Sequence, residues 1–292
     1  MDELIQKAQT LIEALPYIRE FYGKTIVVKY GGSVGGEELF NFARDIVLMR
    51  YVGMNPVVVH GGGPQIGNFM SRLGIESEFI AGLRVTDELT MEITLMVLIG
   101  KVNTEIVTAI NTHGSRAVGI SGNAATTIMA KKIDISKVVS DKKDLPKDAD
   151  LGMVGEVEKI SPELINTLQA SGFIPVIAPI GFDEGGKSYN INADHVAGKI
   201  AGALQAEKLV LLTDVAGITD GGNKLISSLS KRTAMELIDS GVISSGMIPK
   251  VGCALDALQY GVRKVHIIDG RVERALILEI FTDSGIGTEI VL

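Results

Sequence analysis

The chain has no tryptophan, one cysteine, four histidines and eight prolines in 292 residues, and only 5% of its residues are aromatic. The lone cysteine, Cys253, excludes an intramolecular disulfide framework, and no Cys/His spacing matches a zinc site. No apolar stretch approaches the roughly 20 residues that span a bilayer. The N-terminal MDELIQKAQT is acidic and amphipathic, unlike a secretory leader. Positive charge is also short: 28 Lys and Arg against 35 Asp and Glu leave a net charge of −7, which argues against a nucleic-acid partner. With no low-complexity tract, these absences lead to a soluble, cytoplasmic, globular protein of one or two domains, with no membrane partner.

What the chain has in excess is glycine. It holds 34, where average usage of about 7% predicts roughly 20, and they gather at the ends of apolar runs. Residues 1–22 read as helix, with Leu4, Ile5, Ala8, Leu11, Ile12 and Leu15 on one face and Pro16 interrupting. β-Branched runs such as TIVVKY (25–30), NPVVVH (55–60) and KLVLLTD (208–214) then alternate with helical periods. One long helix is expected over 90–114, and TTIMAKKI and GMVGEVEKI are expected to pair as a hairpin around the charged run 131–150. Continuous apolar strands bounded by glycines indicate a parallel sheet covered on both faces by helices. A boundary near residue 180 divides the chain into 23–180 and 181–292.

Two of the glycine loops follow strands directly. In VVKYGGSVGG (27–36) the lysine precedes the glycines; in VVVHGGGPQI (57–66) Pro64 suits the first turn of the next helix. Neither loop meets the Walker or the dinucleotide fingerprint. Both nonetheless place bare backbone N–H groups and a helix N-terminus at a strand end, which favours an anion. On successive strands of one open sheet the two loops should be neighbours at its carboxyl edge. His60 reads as a structural hydrogen-bonder rather than a base. Arg84 in GLRVTD suits a carboxylate, Asn192 or its neighbour in YNINADHVAG suits an N-cap, and Lys250 follows Pro249 at a helix start.

As an ordered set these segments resemble the amino-acid kinase superfamily, and within it most closely the N-acetylglutamate kinases of the arginine-inhibited type. The resemblance runs nearly the whole length: ALPYIREFYGKTIVVKYGGS, VVVHGGGPQI, GLRVTD, GKVNTEIV, DLGMVGEV, PVIAPIG, YNINAD, AEKLVLLTDVAGI, GMIPKV and LEIFTDSGIGTEI. It implies a three-layer αβα sandwich around an open, mainly parallel sheet, carbamate-kinase-like, with an added N-terminal helix over 1–22 that joins dimers into a hexamer. Residues 23–180 would be the acceptor lobe and 181–292 the ATP lobe.

The implied reaction moves the γ-phosphoryl group of ATP, with Mg²⁺, onto the side-chain carboxylate of N-acetyl-L-glutamate, in arginine biosynthesis. That acceptor is already ionised at neutral pH, so no general base is needed. By the resemblance Lys29 and Lys250 flank the moving group and Asp194 holds them. Gly31 and Gly32, with Thr213 and Asp214, belong to the nucleotide, and Gly62, Gly63, Arg84 and Asn190 to the acceptor; no side chain is assigned as a metal ligand. Arginine as allosteric inhibitor, a homo-oligomer from dimer to hexamer, and a nitrogen-signalling regulator are the partners implied. The arginine site lies between the N-terminal helix and the C-terminal region, near Lys208 and Glu273 or Glu279.

The chain departs from the family pattern at Val34-Gly35 in the first loop, at Asn123 where a lysine is common, and at Arg274 where a histidine is usual. A kinase for an acetylated or carrier-linked aminoadipate differs by one methylene, worth only about 1–3 kcal/mol of discrimination. An inactive arginine sensor would have no electrostatic reason to keep both lysines and Asp194.

Overall fold

The computed structural model describes residues 1–31, 36–135, 150–243 and 246–292. Eight strands share one sheet: β1 (Thr25–Tyr30), β2 (Asn55–His60), β3 (Ala117–Ile120), β4 (Ile174–Ile177), β5 (Lys208–Thr213), β6 (Ser228–Ser230), β7 (Lys264–Asp269) and β8 (Thr288–Val291). Their order is β6-β8-β7-β5-β1-β2-β4-β3, and only the β7–β8 pair is antiparallel.

The period-2 pleat explains why these strands are apolar throughout. Ile26, Val28 and Tyr30 of β1 enter the core under helix 36–51 and the helices over 88–112; Val27 enters the opposite core with Ile200 and Leu258. Each such side chain contributes about 1.5–3 kcal/mol on burial, so both faces need a helical layer. The same alternation puts Lys29 on the face of Val27, toward helix Ala193–Ala203. The chain leaves β1 toward β2 on one side, and β5 is later added on the other. The carboxyl edge beside β1 is therefore the topological switch point, where open α/β sheets bind ligands.

The expected long helix is present with one irregularity. Glu88–Leu95 and Thr104–Thr112 are α-helical, and Met96–Asn103 between them is π-helical. By length and composition residues 88–112 could cross a membrane, yet Ile93, Val97, Leu98, Val102, Ile106 and Ile110 are buried in the core above the sheet.

The expected hairpin also forms: Ile128–Lys132 pairs antiparallel with Val154–Ile160, and its tip at 136–149 lies outside the described residues. Downstream, GFDEGGKSYN is more than the loop its polarity suggests. Ile180–Phe182 and Ser188–Ile191 pair antiparallel, and Asp183 tightens the turn by accepting from the Lys187 N–H at 2.9 Å. These four strands close a small barrel, which draws strands from both sides of residue 180. A second unanticipated hairpin, Phe79–Ile80 with Leu83–Arg84, turns on Ala81 and Gly82, both at positive φ, the conformation that tight two-residue turns require.

At the N-terminus, helices Asp2–Glu13 and Leu15–Phe21 meet where Pro16 enters the first turn of the second. Leu4, Ile5, Leu11 and Ile12 are 64, 56, 74 and 68% exposed, so the apolar face of the first helix is uncovered by its own chain.

Candidate active site

Lys29, Asp194 and Lys250 meet at the carboxyl edge of β1. Asp194 opens helix Ala193–Ala203, and its N–H donates to the Asn192 side chain at 2.8 Å, the N-cap the sequence indicated. An acid in a helix's first turn is favoured by the helix dipole. Lys250 comes from the first turn of helix Met247–Gln259 and donates to Asp194 Oδ2 at 2.7 Å. Lys29 Nζ lies 2.9 Å from Oδ1, an ion pair off the hydrogen-bonding direction.

Burial alone would raise the Asp194 carboxyl. The Lys29 and Lys250 charges outweigh it and bring the group down to about 2, so Asp194 stays ionised. Two ammonium groups and one carboxylate, all largely buried, leave a centre of net charge +1 suited to an anion.

Gly31 makes room for this arrangement. A Cβ there would sit 2.5 Å from Lys29 Nζ and 3.3 Å from the Leu212 carbonyl; Gly32 lies outside the described residues. On the neighbouring strand end, the Gly61 N–H donates to the Tyr30 carbonyl at 2.8 Å, which ties the second glycine loop to the first. Gly62 is the N-cap of helix Gly63–Arg72, and a Cβ on it would lie 2.3 Å from Leu98 Cδ2. Gly63 faces open space.

Arg84 is bound to this helix start. It donates to the Gly63 carbonyl at 3.0 Å and to Ser77 Oγ, and its guanidinium lies 4.7 Å from the Phe79 ring centroid. Burial lowers its pKa, although a guanidinium remains charged in proteins. Asn190 donates to Thr86 Oγ1 at 3.3 Å, and Thr86 Oγ1 donates to the Arg84 carbonyl at 2.8 Å. Gly63, Arg84 and Asn190 are thus linked through Thr86 by hydrogen bonds, with Gly62 next to Gly63. Thr213 and Asp214 end β5 at the same edge, where Thr213 Oγ1 donates to Asp214 Oδ1 at 3.2 Å. Among the described residues no three acidic, His or Cys groups converge as a metal site.

A second buried polar cluster lies under the N-terminal helices. Lys208 Nζ sits 4.7 Å from the Phe21 ring centroid, and His266 Nδ1 contacts Glu279 Oε1 at 2.5 Å. Glu279 Oε2 accepts from the Ile286 N–H at 2.8 Å. Burial would raise the Glu279 carboxyl, but the His266 and Ile286 contacts hold it below its usual range. His266 Nε2 is buried with no hydrogen-bond partner. Of the two acids named for this region, Glu279 is near enough to Lys208 for their charges to act on each other. Glu273 instead lines a separate cleft of about 200 Å³ with Tyr30, Asp45 and Arg274. There Arg274 donates to the buried Asp45 at 3.1 Å.

Sequence reading missed Cys253, Asn103 and Ser77. Cys253 stands one helical turn after Lys250, and its Sγ donates to the Asp194 carbonyl at 2.7 Å; that spacing was a usable signal. Asn103 was visible as a polar residue inside an apolar helical face. Ser77 carried no signal, since only the hairpin at Phe79–Arg84 brings it to Arg84.

Residues 24–269 match the family model described as "Amino acid kinase family". The acetylglutamate kinase of Syntrophobacter fumaroxidans is 58% identical over 290 residues, covering 99% of this chain and 97% of that protein. N-acetylglutamate synthase from Neisseria gonorrhoeae, solved with coenzyme A and N-acetyl-glutamate, superposes with a TM-score of 0.85 at 29% identity over 98% of this chain. The same synthase solved with coenzyme A and L-arginine gives 0.81 at 27% identity over 97% of this chain. The chain spans 63% and 65% of the two synthase chains.

Proposed function

The chain belongs to the amino acid kinase family, and we propose that it phosphorylates the side-chain carboxylate of N-acetyl-L-glutamate with ATP, giving the 5-phosphate in arginine biosynthesis. The observation that carries this reading is the pair of lysines from the two halves of the chain, held on one carboxylate beside two glycine loops.

Phosphoryl transfer is governed by positioning and charge. The acceptor is an anion approaching a polyanion, and charge spreads over the equatorial oxygens of the moving group. Lys29 and Lys250 oppose that repulsion from two sides and are fixed before substrate arrives, so no reorganisation is needed at the moment of reaction. Asp194 cancels one of their charges, which lets two ammonium groups stand together. Gly31 supports the donor side, with Gly32, Thr213 and Asp214 assigned to the nucleotide. Mg²⁺ would ride on the donor phosphates and supply further neutralisation. Arg84, Asn190 and the start of helix Gly63–Arg72 take the acceptor's α-carboxylate and acetamido end, leaving its side chain toward the lysines. Residues 23–180 then act as the acceptor lobe and 181–292 as the nucleotide lobe.

The second cluster is read as an arginine site. A ligand with a carboxylate at one end and a guanidinium at the other matches Lys208 and Glu279, and the unpartnered His266 Nε2 supports a bound polar group there. The uncovered face of helix Asp2–Glu13 is assigned to a second copy of the chain, in an assembly from dimer to hexamer. A nitrogen-signalling regulator is carried only by the family resemblance.

The test is acyl-phosphate formation with Mg·ATP, trapped by hydroxylamine, on N-acetylglutamate and on N-acetylaminoadipate. Turnover on N-acetylglutamate that disappears in Lys250→Ala is the expected result. ATP binding without turnover on either acceptor would overturn the reading.

A further inference from the structure

We propose that His60 and Asn103 are positioning residues for the acceptor loop, and that the π-helical turn Met96–Asn103 brings Asn103 beneath it. This inference rests on the reading of Gly62 and Gly63 as acceptor-binding.

His60 ends β2 and is fully buried. Its Nδ1 lies 2.8 Å from the Gly61 carbonyl, which only accepts, so Nδ1 carries the hydrogen. Nε2 is then a lone pair, and Asn103 Nδ2 donates to it at 3.1 Å. Burial pushes the imidazole down to about 4, so it is neutral at working pH and this tautomer is the one present.

Asn103 has no freedom to turn. Nδ2 donates also to the Val176 carbonyl at 2.9 Å, which uses both amide hydrogens. Its Oδ1 occupies the space of a Cβ on Gly119, which would come within 1.9 Å. One amide thereby engages the ends of three adjacent strands, β2, β4 and β3.

The π-turn makes this possible. An α-helix places residues four apart on one face and rotates the next one away, whereas i→i+5 bonding widens the turn so that five-residue spacings also align. Leu98 and Val102 pack where a Gly62 Cβ would be, at 2.3 and 3.5 Å, and Asn103 reaches the adjacent His60. The loop is thus seated by two apolar side chains and oriented by one polar pair.

The consequence follows from peptide geometry. In a planar trans peptide the carbonyl and the next N–H point in opposite directions. With the Gly61 carbonyl drawn to His60, the Gly62 N–H points the opposite way, away from the imidazole, and in this reading is offered to the anionic acceptor.

The test compares His60→Leu, His60→Asn and Asn103→Leu with the wild-type protein, measuring KM for acceptor and for ATP separately, with ¹⁵N NMR of the imidazole nitrogens. His60→Leu and Asn103→Leu are expected to raise the acceptor KM at least tenfold and the ATP KM less than twofold. His60→Asn, whose amide can take the Nδ1 position, should restore the acceptor KM to within about threefold. Wild-type His60 should show a protonated Nδ1 and a bare Nε2, with the Nε2 signal shifting in Asn103→Leu. An unchanged acceptor KM, or equal rises for both substrates, overturns the proposal while wild-type turnover leaves the kinase reading standing. No wild-type turnover on N-acetylglutamate overturns that reading, and this inference with it.

Discussion

Lys29 and Lys250 come from opposite halves of the chain and are bridged by one carboxylate, at 2.9 Å and 2.7 Å from the two oxygens of Asp194. Neither oxygen is spare, so Asp194→Asn should do more than remove one charge. Two ammonium groups would then face each other with no counter-ion, and one would swing away. We expect acyl-phosphate formation to fall about 10²–10³-fold, comparable to losing a preorganised electrostatic donor. Calorimetry of ATP binding should show the nucleotide still bound; an activity within tenfold of wild type would contradict the bridging role.

The glycines of the second loop should separate packing from recognition. Gly62→Ala drives a Cβ into the buried Leu98 and should lower stability by about 1–3 kcal/mol, as overpacking does. Gly63→Ala meets nothing within 4 Å and should leave the melting temperature unchanged. Its methyl nevertheless projects from the start of the helix where the acceptor is placed, so the acceptor KM should rise. Denaturant titration and steady-state kinetics on both variants decide the matter; equal stability loss in the two would refute the distinction.

Arginine should bind through Glu279. Wild-type protein is expected to show a rise in melting temperature with millimolar L-arginine, by mass action on the folded state. Glu279→Gln should abolish that rise and leave acyl-phosphate formation without arginine intact. A persistent rise in the variant would place the ligand elsewhere.

Two buried groups titrate in overlapping windows with opposite sign. Burial holds Asp45 up at about 6 against an ordinary 3.8, despite the opposing Arg274 contact. Its contribution is therefore fully present below pH 3.8 and is lost as pH rises through 6. His60 is held down at about 4 against 6.5, so its contribution is present above pH 6.5 and lost as pH falls through 4. Each amounts to about 3 kcal/mol, and they mask one another between pH 4 and 6. Asp45→Asn should expose the His60 slope, with stability rising from pH 4 to 6.5. Arg274→Ala should cost about 3 kcal/mol at pH 7 by stranding a buried carboxylate, and the added Asp45→Asn should recover most of it. Urea unfolding from pH 4 to 8 reads all of these.

The strands at 25–30, 55–60 and 208–213, the glycine loops and the alternation of β1 were legible from local pattern. Period-2 burial alone places Lys29 and Tyr30 on opposite faces, because pleat geometry is fixed within a few residues. The hairpin of Phe79–Arg84 was not legible, since two-residue strands carry almost no periodic signal. The π-turn was hidden because an apolar helix face looks much the same at four- and five-residue spacing. Glu273 and Glu279, six residues apart, could not be told apart until Arg274, at φ 61°, and the short helix after it sent one to each of two sites.

The sequence by itself determined the class of fold, the two anion-favouring loops and the residue types for charge-driven transfer, because each depends on neighbours in the chain. Only the tertiary structure decided that Lys29 and Lys250 share Asp194, that Asn103 meets His60, and that Glu279 lies near Lys208 while Glu273 lines a separate cleft. Those pairings join residues remote in sequence, and their distances follow from strand order and helix packing rather than from any local preference.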